Sequence, residues 1–163
     1  MTVWSIRPTV VEDAGTLLES MRIGFEGYRD FAPAGWDPPD AVAERTRISD
    51  RLGEPGTWGL IAEAPEGPAG HVAFFPQPAT DGAAHLWQLF IRPAWWGTGL
   101  ARELLGLAIE EARAQGYVRM RLFTPEGQSR ARAFYERAGF EPVGPAAFDP
   151  SIGFNVMQYA REL

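Results

Sequence analysis

"LFIRPAWWGTGLARELL", Leu89–Leu105, joins a strand-like apolar run to an amphipathic helix through two tryptophans and a Gly-Thr-Gly turn. Glycine loses more backbone entropy on folding than any other residue, so Gly97 and Gly99 at a helix start ask for a reason. A helix that begins directly after a strand and a glycine turn presents unpaired backbone N–H groups. The helix dipole adds positive potential at the same place. With no side chains in the way, a phosphate can come close enough to accept those hydrogen bonds. The turn therefore reads as an anion cradle suited to a pyrophosphate, with a plain strand-to-helix turn as the alternative. A P-loop would need Lys-Ser/Thr after the glycines, where Leu100 and Ala101 stand. A dinucleotide-binding fingerprint would put its third glycine at Arg102, and its acid is missing from the end of the next strand.

Outward from this stretch, helical spacing continues through Ala101, Leu104, Leu105, Ala108 and Ala112 to a glycine stop at Gly116. "VRMRLFT" follows with a period of two, Val118, Met120 and Leu122 on one side. "HLWQLFI", the turn, the helix and "VRMRLFT" make a β-α-β unit, which implies two parallel strands under a crossing helix. A further helix covers roughly 129–138 and ends at Gly139. Upstream, "VWSIR" predicts a first strand, and Thr9 with Glu12 predicts a capping box opening a helix through Phe25. "AVAERTRISDRLGEP" predicts a short helix ending near Gly53. "TWGLIAEAP" and "GHVAFFPQP" read as strands, with "ATDGAA" as the hairpin turn before "HLWQLFI". "FEPVG" and "IGFNVMQYARE" close the chain as strands. The fold class expected is α/β, with a mixed twisted sheet of six or seven strands and about four helices.

The 163 residues, 45% hydrophobic and 22% charged, suit one globular domain spanning 1–163. Cysteine is absent and only His71 and His85 occur, so thiolate chemistry is excluded and no metal is expected. A formal charge of −6 argues against a nucleic-acid partner. Lysine is absent too, which removes any Schiff base. "MTVWSIRP" has neither a basic start nor an apolar run, and no stretch approaches membrane-spanning length; a cytoplasmic chain without a membrane partner is expected.

A second segment, "FYERAGFEPVG" (Phe134–Gly144), sharpens the reading. Together the two segments closely resemble the GNAT superfamily of acyl-CoA-dependent N-acyltransferases. The likeness is close over about 86–144 and extends to the rest of the chain in layout. In that family the R/Q-x-x-G-x-G/A motif, here Trp96-Gly97-Thr98-Gly99-Leu100-Ala101, binds the coenzyme A pyrophosphate through backbone amides. The resemblance implies that these residues and Arg102 hold acetyl-CoA as co-substrate. It implies that two splayed parallel strands admit the pantetheine arm. It also implies that the N-x-x-A-x-x-F-Y-E-x-x-G-F segment appears as Gln128, Ala131, Phe134, Tyr135, Glu136, Gly139 and Phe140. Gln128 and Phe134 then belong to the cofactor site. Trp96 departs from Arg or Gln, a change the resemblance tolerates because a backbone N–H makes the contact there. Gln128 departs from Asn but keeps an amide.

Direct attack of an amine on a thioester, through a tetrahedral intermediate, needs an unprotonated nucleophile, a stabilised oxyanion and a proton for the leaving thiolate. The resemblance gives the proton to Tyr135, whose phenol stays protonated at neutral pH; helical spacing alone would make Tyr135 core packing. It gives the oxyanion to a backbone N–H around Leu89, Phe90 and Ile91. Many members carry a glutamate base near Gln88, and an amide cannot take up a proton. His85 is the next candidate base, although strict alternation puts it with Trp87 and Leu89, opposite Gln88 and Phe90. His71, a water path to Gln88, a carboxylate such as Glu26, or simple desolvation of the amine remain alternatives. For the acceptor pocket, Phe25, Tyr28, Phe31, Trp36 and Trp58 accompany Asp30, Asp37 and Asp40. They suit an organic cation, or equally cover a sheet edge or form a homodimer contact. The acceptor expected is a primary amine on a small molecule. A peptide or protein amine and a silent acyl-CoA-binding domain are the alternatives.

Overall fold

The computed structural model describes residues 3–77, 79 and 82–163. Its strands are β1 (Ser5–Pro8), β2 (Trp58–Ala64), β3 (Gly67–Pro76), β4 (Ala83–Ile91), β5 (Arg119–Pro125), β6 (Glu141–Pro142), β7 (Ala147–Asp149) and β8 (Phe154–Glu162). Its helices are α1 (Ala14–Glu26), α2 (Ala41–Gly53), α3 (Leu100–Ala114) and α4 (Ser129–Arg137). The strands form one mixed sheet of eight, ordered β1-β2-β3-β4-β5-β8-β6 with β7 beside β8. This is one strand more than the upper expectation. The addition is β7, whose short "AFD" offers no alternation to read. The turn expected over 79–84 includes Thr80 and Asp81, which lie outside the described residues, as do Met1 and Thr2 of the amino-terminal stretch.

Two cores hold the sheet between helix layers. On one face Leu100, Leu104, Leu105, Ala108 and Ala112 of α3 bury against Val72, Phe74, Leu86, Met120 and Leu122. Phe134 and Tyr135 of α4 join the same core. Val118, expected on that side, precedes β5 and is exposed. On the other face Leu17, Met21 and Phe25 of α1 and Ile48 of α2 pack over Ile61 and Phe154. A buried leucine such as Leu104 is worth about 2–5 kcal/mol against truncation to alanine.

The entry to α1 differs from the Thr9–Glu12 box. The Thr9 N–H donates to the Gly59 carbonyl at 3.0 Å, which keeps Thr9 on β2. A 3-10 turn over Val11–Asp13 leads into the helix, with the Asp13 carboxylate accepting the Val10 N–H at 2.8 Å. Arg7 of β1 holds that carboxylate at 2.9 Å, so the ion pair displaces the threonine cap. α2 starts on Asp40, whose carboxylate accepts the Ala43 N–H at 2.9 Å.

Two irregularities of β4 open the middle of the sheet. Phe74 pairs with Leu86 and Ala73 with Gln88, so Trp87 is an extra residue, a bulge. It resets the alternation expected from sequence. His85, Trp87, Gln88 and Phe90 face the α1 side, while Leu89 turns to the α3 core. β4 and β5 then pair in parallel only at Ala83–Arg119, Ala84–Met120 and His85–Arg121. Beyond His85 the two strands part.

Candidate functional site

The parting strands open a cleft of about 1580 Å³ that passes through the sheet. Its lining on the α3 face includes Leu100, Phe134 and Tyr135, and on the α1 face Tyr28 and Phe31. Drug-sized ligand pockets run to about 300–1,000 Å³, so this volume admits two molecules meeting end to end.

At the α3 mouth, Gly97 and Gly99 hold φ of 75° and 90°. A Cβ at either would meet nothing within 4 Å, so these glycines answer to left-handed backbone and leave the ground above it open. Among the described residues no protein acceptor takes the N–H of Gly97, Thr98, Gly99, Ala101 or Arg102. The Thr98 hydroxyl folds back, donating to the Trp95 carbonyl at 2.6 Å, and lies a long 3.4 Å from the Leu100 N–H. Thr98 alone of the motif does not line the cleft. The cradle fits a pyrophosphate: amide donors and a helix dipole converge on a surface without side chains.

Trp96 departs from expectation. Its N–H donates to the Pro93 carbonyl at 3.1 Å, closing the 3-10 turn that Pro93 begins, so this amide is not free for a ligand. What Trp96 presents to the cleft is its ring.

Leu89, Phe90 and Ile91 line the cleft along the parted edge of β4, and Ala101 and Arg102 line it from α3. Gln128, just ahead of α4, lines it without a side-chain partner among the described residues. Tyr159 pins α4 to β8. Its hydroxyl donates to the Glu136 carboxylate at 2.9 Å and accepts from Arg132 at 3.1 Å. That anchorage turns Phe134 and Tyr135 inward. The Tyr135 phenol is pushed up from its ordinary range by burial. Tyr28, on the opposite face, is pushed up by burial and, in smaller part, by nearby Tyr135. Neither hydroxyl has a protein partner among the described residues, and neither is sealed from the cleft.

Gln88 and His85 lie elsewhere. Gln88 is buried beneath α1, its carbonyl 2.8 Å from His71 Nε2 and its amide 3.6 Å from the Met21 sulfur. His71 is fully enclosed, and burial pushes it down to about 4. His85 accepts from Arg121 at 3.2 Å through Nδ1; burial and then the Arg121 charge push it down to about 4. Neither Gln88 nor His85 lines the cleft, so the arrangement brings no histidine to it.

The expected acceptor aromatics separate into groups. Tyr28 and Phe31 line the cleft, whereas Phe25 and Trp36 pack behind them against Phe90 and Phe154. Trp58 stacks on Phe74 in the α3 core, 5.0 Å between centroids. Asp37 lies beside Arg29, Asp40 caps α2, and Asp30 is the one carboxylate among the cleft-lining residues described. Close approach completes this wall. A Cβ on Gly24 would meet the Phe90 ring at 2.7 Å, and one on Gly127 would meet Phe31 at 2.7 Å. Sequence reasoning missed the basic lining: besides Arg102, the cleft holds Arg130, Arg137 and Arg161. The one available signal was an Arg every few residues through the α4 segment, indistinguishable from a solvated helix face.

The acetyltransferase (GNAT) family model matches residues 23–140. A curated relative, mycothiol acetyltransferase of Beutenbergia cavernae, is 38% identical over 68 residues, which are 42% of this chain and 22% of that protein. The match thus spans about a fifth of that relative's length. Among solved structures, a GNAT-family acetyltransferase of Staphylococcus aureus Mu50 superposes with a TM-score of 0.77 at 17% identity, covering 98% of this chain and 99% of that one. The PaiA N-acetyltransferase of Thermoplasma acidophilum, solved in complex with coenzyme A, gives a TM-score of 0.72 at 18% identity over 100% of both chains. These likenesses bear on the fold. Among the described residues no helix is long and apolar enough to cross a membrane.

Proposed function

This chain belongs to the GNAT acetyltransferase family, and from that premise we propose that it transfers an acetyl group from acetyl-CoA to a primary amine on a small molecule. We take residues 1–163 as one domain for that purpose. The observation that carries the reading is a cleft with two unlike mouths. Free amides and arginines gather on the α3–α4 side, and aromatic rings with Asp30 stand on the other. Bound acetyl-CoA would supply an activated acetyl thioester at the parting of β4 and β5. Gly97, Gly99, Ala101 and Arg102 hold the pyrophosphate by backbone N–H groups, Thr98 shapes the turn from outside the cleft, and Gln128 and Phe134 flank the pantetheine arm. The β4 edge at Leu89–Ile91 offers N–H groups to developing negative charge on the carbonyl oxygen.

Tyr135 gives its proton to the departing sulfur. Burial keeps the phenol protonated, which is the state a general acid needs. No histidine and no carboxylate other than Asp30 lines the cleft among the described residues. Desolvation by the apolar wall lowers the ammonium pKa, so the acceptor gives its proton to solvent water in the cleft before it attacks. The mycothiol acetyltransferase match is too short to lend this chain an acceptor. Asp30 and the Tyr28–Phe31 wall together favour a small organic cation as the acceptor.

The test is direct. Coenzyme A binds the folded form, so its addition raises Tm with the logarithm of its concentration. A panel of small primary amines assayed for thiol release then gives turnover on at least one. No Tm shift at millimolar coenzyme A sinks the cofactor assignment. Binding without turnover on small amines, peptides or proteins makes this a silent acyl-CoA-binding domain instead.

A further inference from the structure

Trp96 is exposed beside the Gly97–Gly99 turn, and a cation from the opposite wall of the cleft stands over its ring. The guanidinium carbon of Arg130, near the start of α4, lies 4.6 Å from the centroid of the Trp96 ring. The ring is itself anchored: its Nε1–H donates to the Ile91 carbonyl at 2.9 Å, on the edge of β4 that has parted from β5. Trp96 immediately precedes Gly97, so this stack places a cation beside the turn whose amides are free. Arg130 has no carboxylate within ion-pairing distance among the described residues, in a chain whose formal charge is −6. Arg161, by contrast, is engaged with the Ala138 carbonyl at 2.7 Å.

Resting on the acetyl-CoA reading above, we infer that Arg130, held on the Trp96 indole, is a pyrophosphate ligand that adds a positive charge beside the free amides of the turn. Backbone amides donate hydrogen bonds but carry no net charge, whereas a pyrophosphate bears formal negative charge. A guanidinium can do what an ammonium cannot: one π face rests on an aromatic ring while its in-plane N–H groups remain free to donate in pairs to phosphate oxygens. The indole restricts the long side chain before the ligand arrives, so less freedom is lost on binding.

Titration calorimetry with three probes separates the possibilities: coenzyme A, dephospho-coenzyme A, which lacks the 3′-phosphate, and pantetheine, which lacks the pyrophosphate. Arg130→Ala should weaken the first two by the same factor, about tenfold or more, and leave pantetheine unchanged. The salt dependence of coenzyme A binding should become shallower. Arg130→Lys restores part of the loss. Trp96→Ala costs about two- to fivefold alone and little further on top of Arg130→Ala, because the two act as one unit. Ligand-free Tm of Arg130→Ala should match that of the wild type, since both partners of the stack are exposed. Unchanged coenzyme A affinity in Arg130→Ala overturns the inference. So does a loss confined to coenzyme A, which would mark a 3′-phosphate contact, or an equal loss for pantetheine, which would mark a structural role. If the wild type binds none of the three, the cofactor reading itself has failed.

Discussion

Two phenols meet the cleft from opposite faces of the sheet, and among the described residues no protein partner bonds to their hydroxyls. Tyr135 belongs to the α4 face with the cofactor elements, Tyr28 to the α1 face with Phe31 and Asp30. The proposed roles divide accordingly, and so should the kinetics. Tyr135→Phe removes the proton donor while keeping the ring, so kcat falls by about a hundredfold with the KM for acetyl-CoA little changed. Tyr28→Phe raises the KM of the acceptor amine and spares the binding of coenzyme A. A Tyr135→Phe enzyme with wild-type single-turnover rate would remove Tyr135 from the chemistry. The pH profile carries an independent check. Burial raises the phenol above its ordinary value of 10.0. The protonated form therefore persists further into alkali, and kcat should show no falling limb below about pH 10. His85 and His71, both pushed down to about 4, predict no rate transition near pH 6.5.

Among the elements, the Gly97–Gly99 turn and the start of α3 bear most of the proposed chemistry. Gly99 precedes the helix with φ of 90° and open space where a Cβ would go. Gly99→Ala thus meets no clash; its cost to stability is the left-handed strain alone, about 1–2 kcal/mol. Coenzyme A affinity should fall by more than that strain explains, because the added methyl occupies the ground above the free amides. Equal affinity in Gly99→Ala, measured by calorimetry, would mean the ligand does not approach this backbone. Such a turn is legible from sequence because glycine pairs and amphipathic spacing are local signals. The β-α-β unit was legible for the same reason. The bulge at Trp87 was not: it depends on how β3 and β4 register, and no residue in "HLWQLFI" announces it. That one extra residue put Gln88 on the face of His85 and sent Leu89 to the other, against simple alternation. The Thr9–Glu12 cap failed similarly, since Arg7 and Gly59 compete for the segment from β1 and β2. Pairings between distant segments, then, set the parts of the site that local patterns could not.

For the molecule as a whole, charge is distributed against its average. A chain with a formal charge of −6 lines one cleft with Arg102, Arg130, Arg137 and Arg161 and a single described carboxylate. That field should draw a polyanion in, with an association rate that falls as salt is added. Protons act on the fold from another direction. His71 is enclosed between β3, β4 and α1, with Gln88 on Nε2, no partner on Nδ1 among the described residues, and the Arg92 charge nearby. His85 lies among Phe75, Arg121 and Arg51, half-buried. Both are pushed down from 6.5 to about 4, chiefly by burial. Between these values the unfolded chain takes up protons that the folded chain refuses, so stability is full above pH 6.5 and drains as pH falls toward 4. From pH 7 to pH 5 the loss attributable to His71 is roughly 1–2 kcal/mol, with less from the more exposed His85. Asp13 and Glu26 do not confuse this window. Their carboxyls are pushed down from 3.8 and 4.5 by hydrogen bonds from Arg7 and Arg29, so their contribution is lost only at lower pH. Guanidinium unfolding at pH 7, 6 and 5 should give a falling ΔG, and the paired substitutions His71→Asn and His85→Gln should flatten that slope whatever they do to stability at pH 7. A slope that survives both replacements would show that the acid sensitivity arises outside this buried pair.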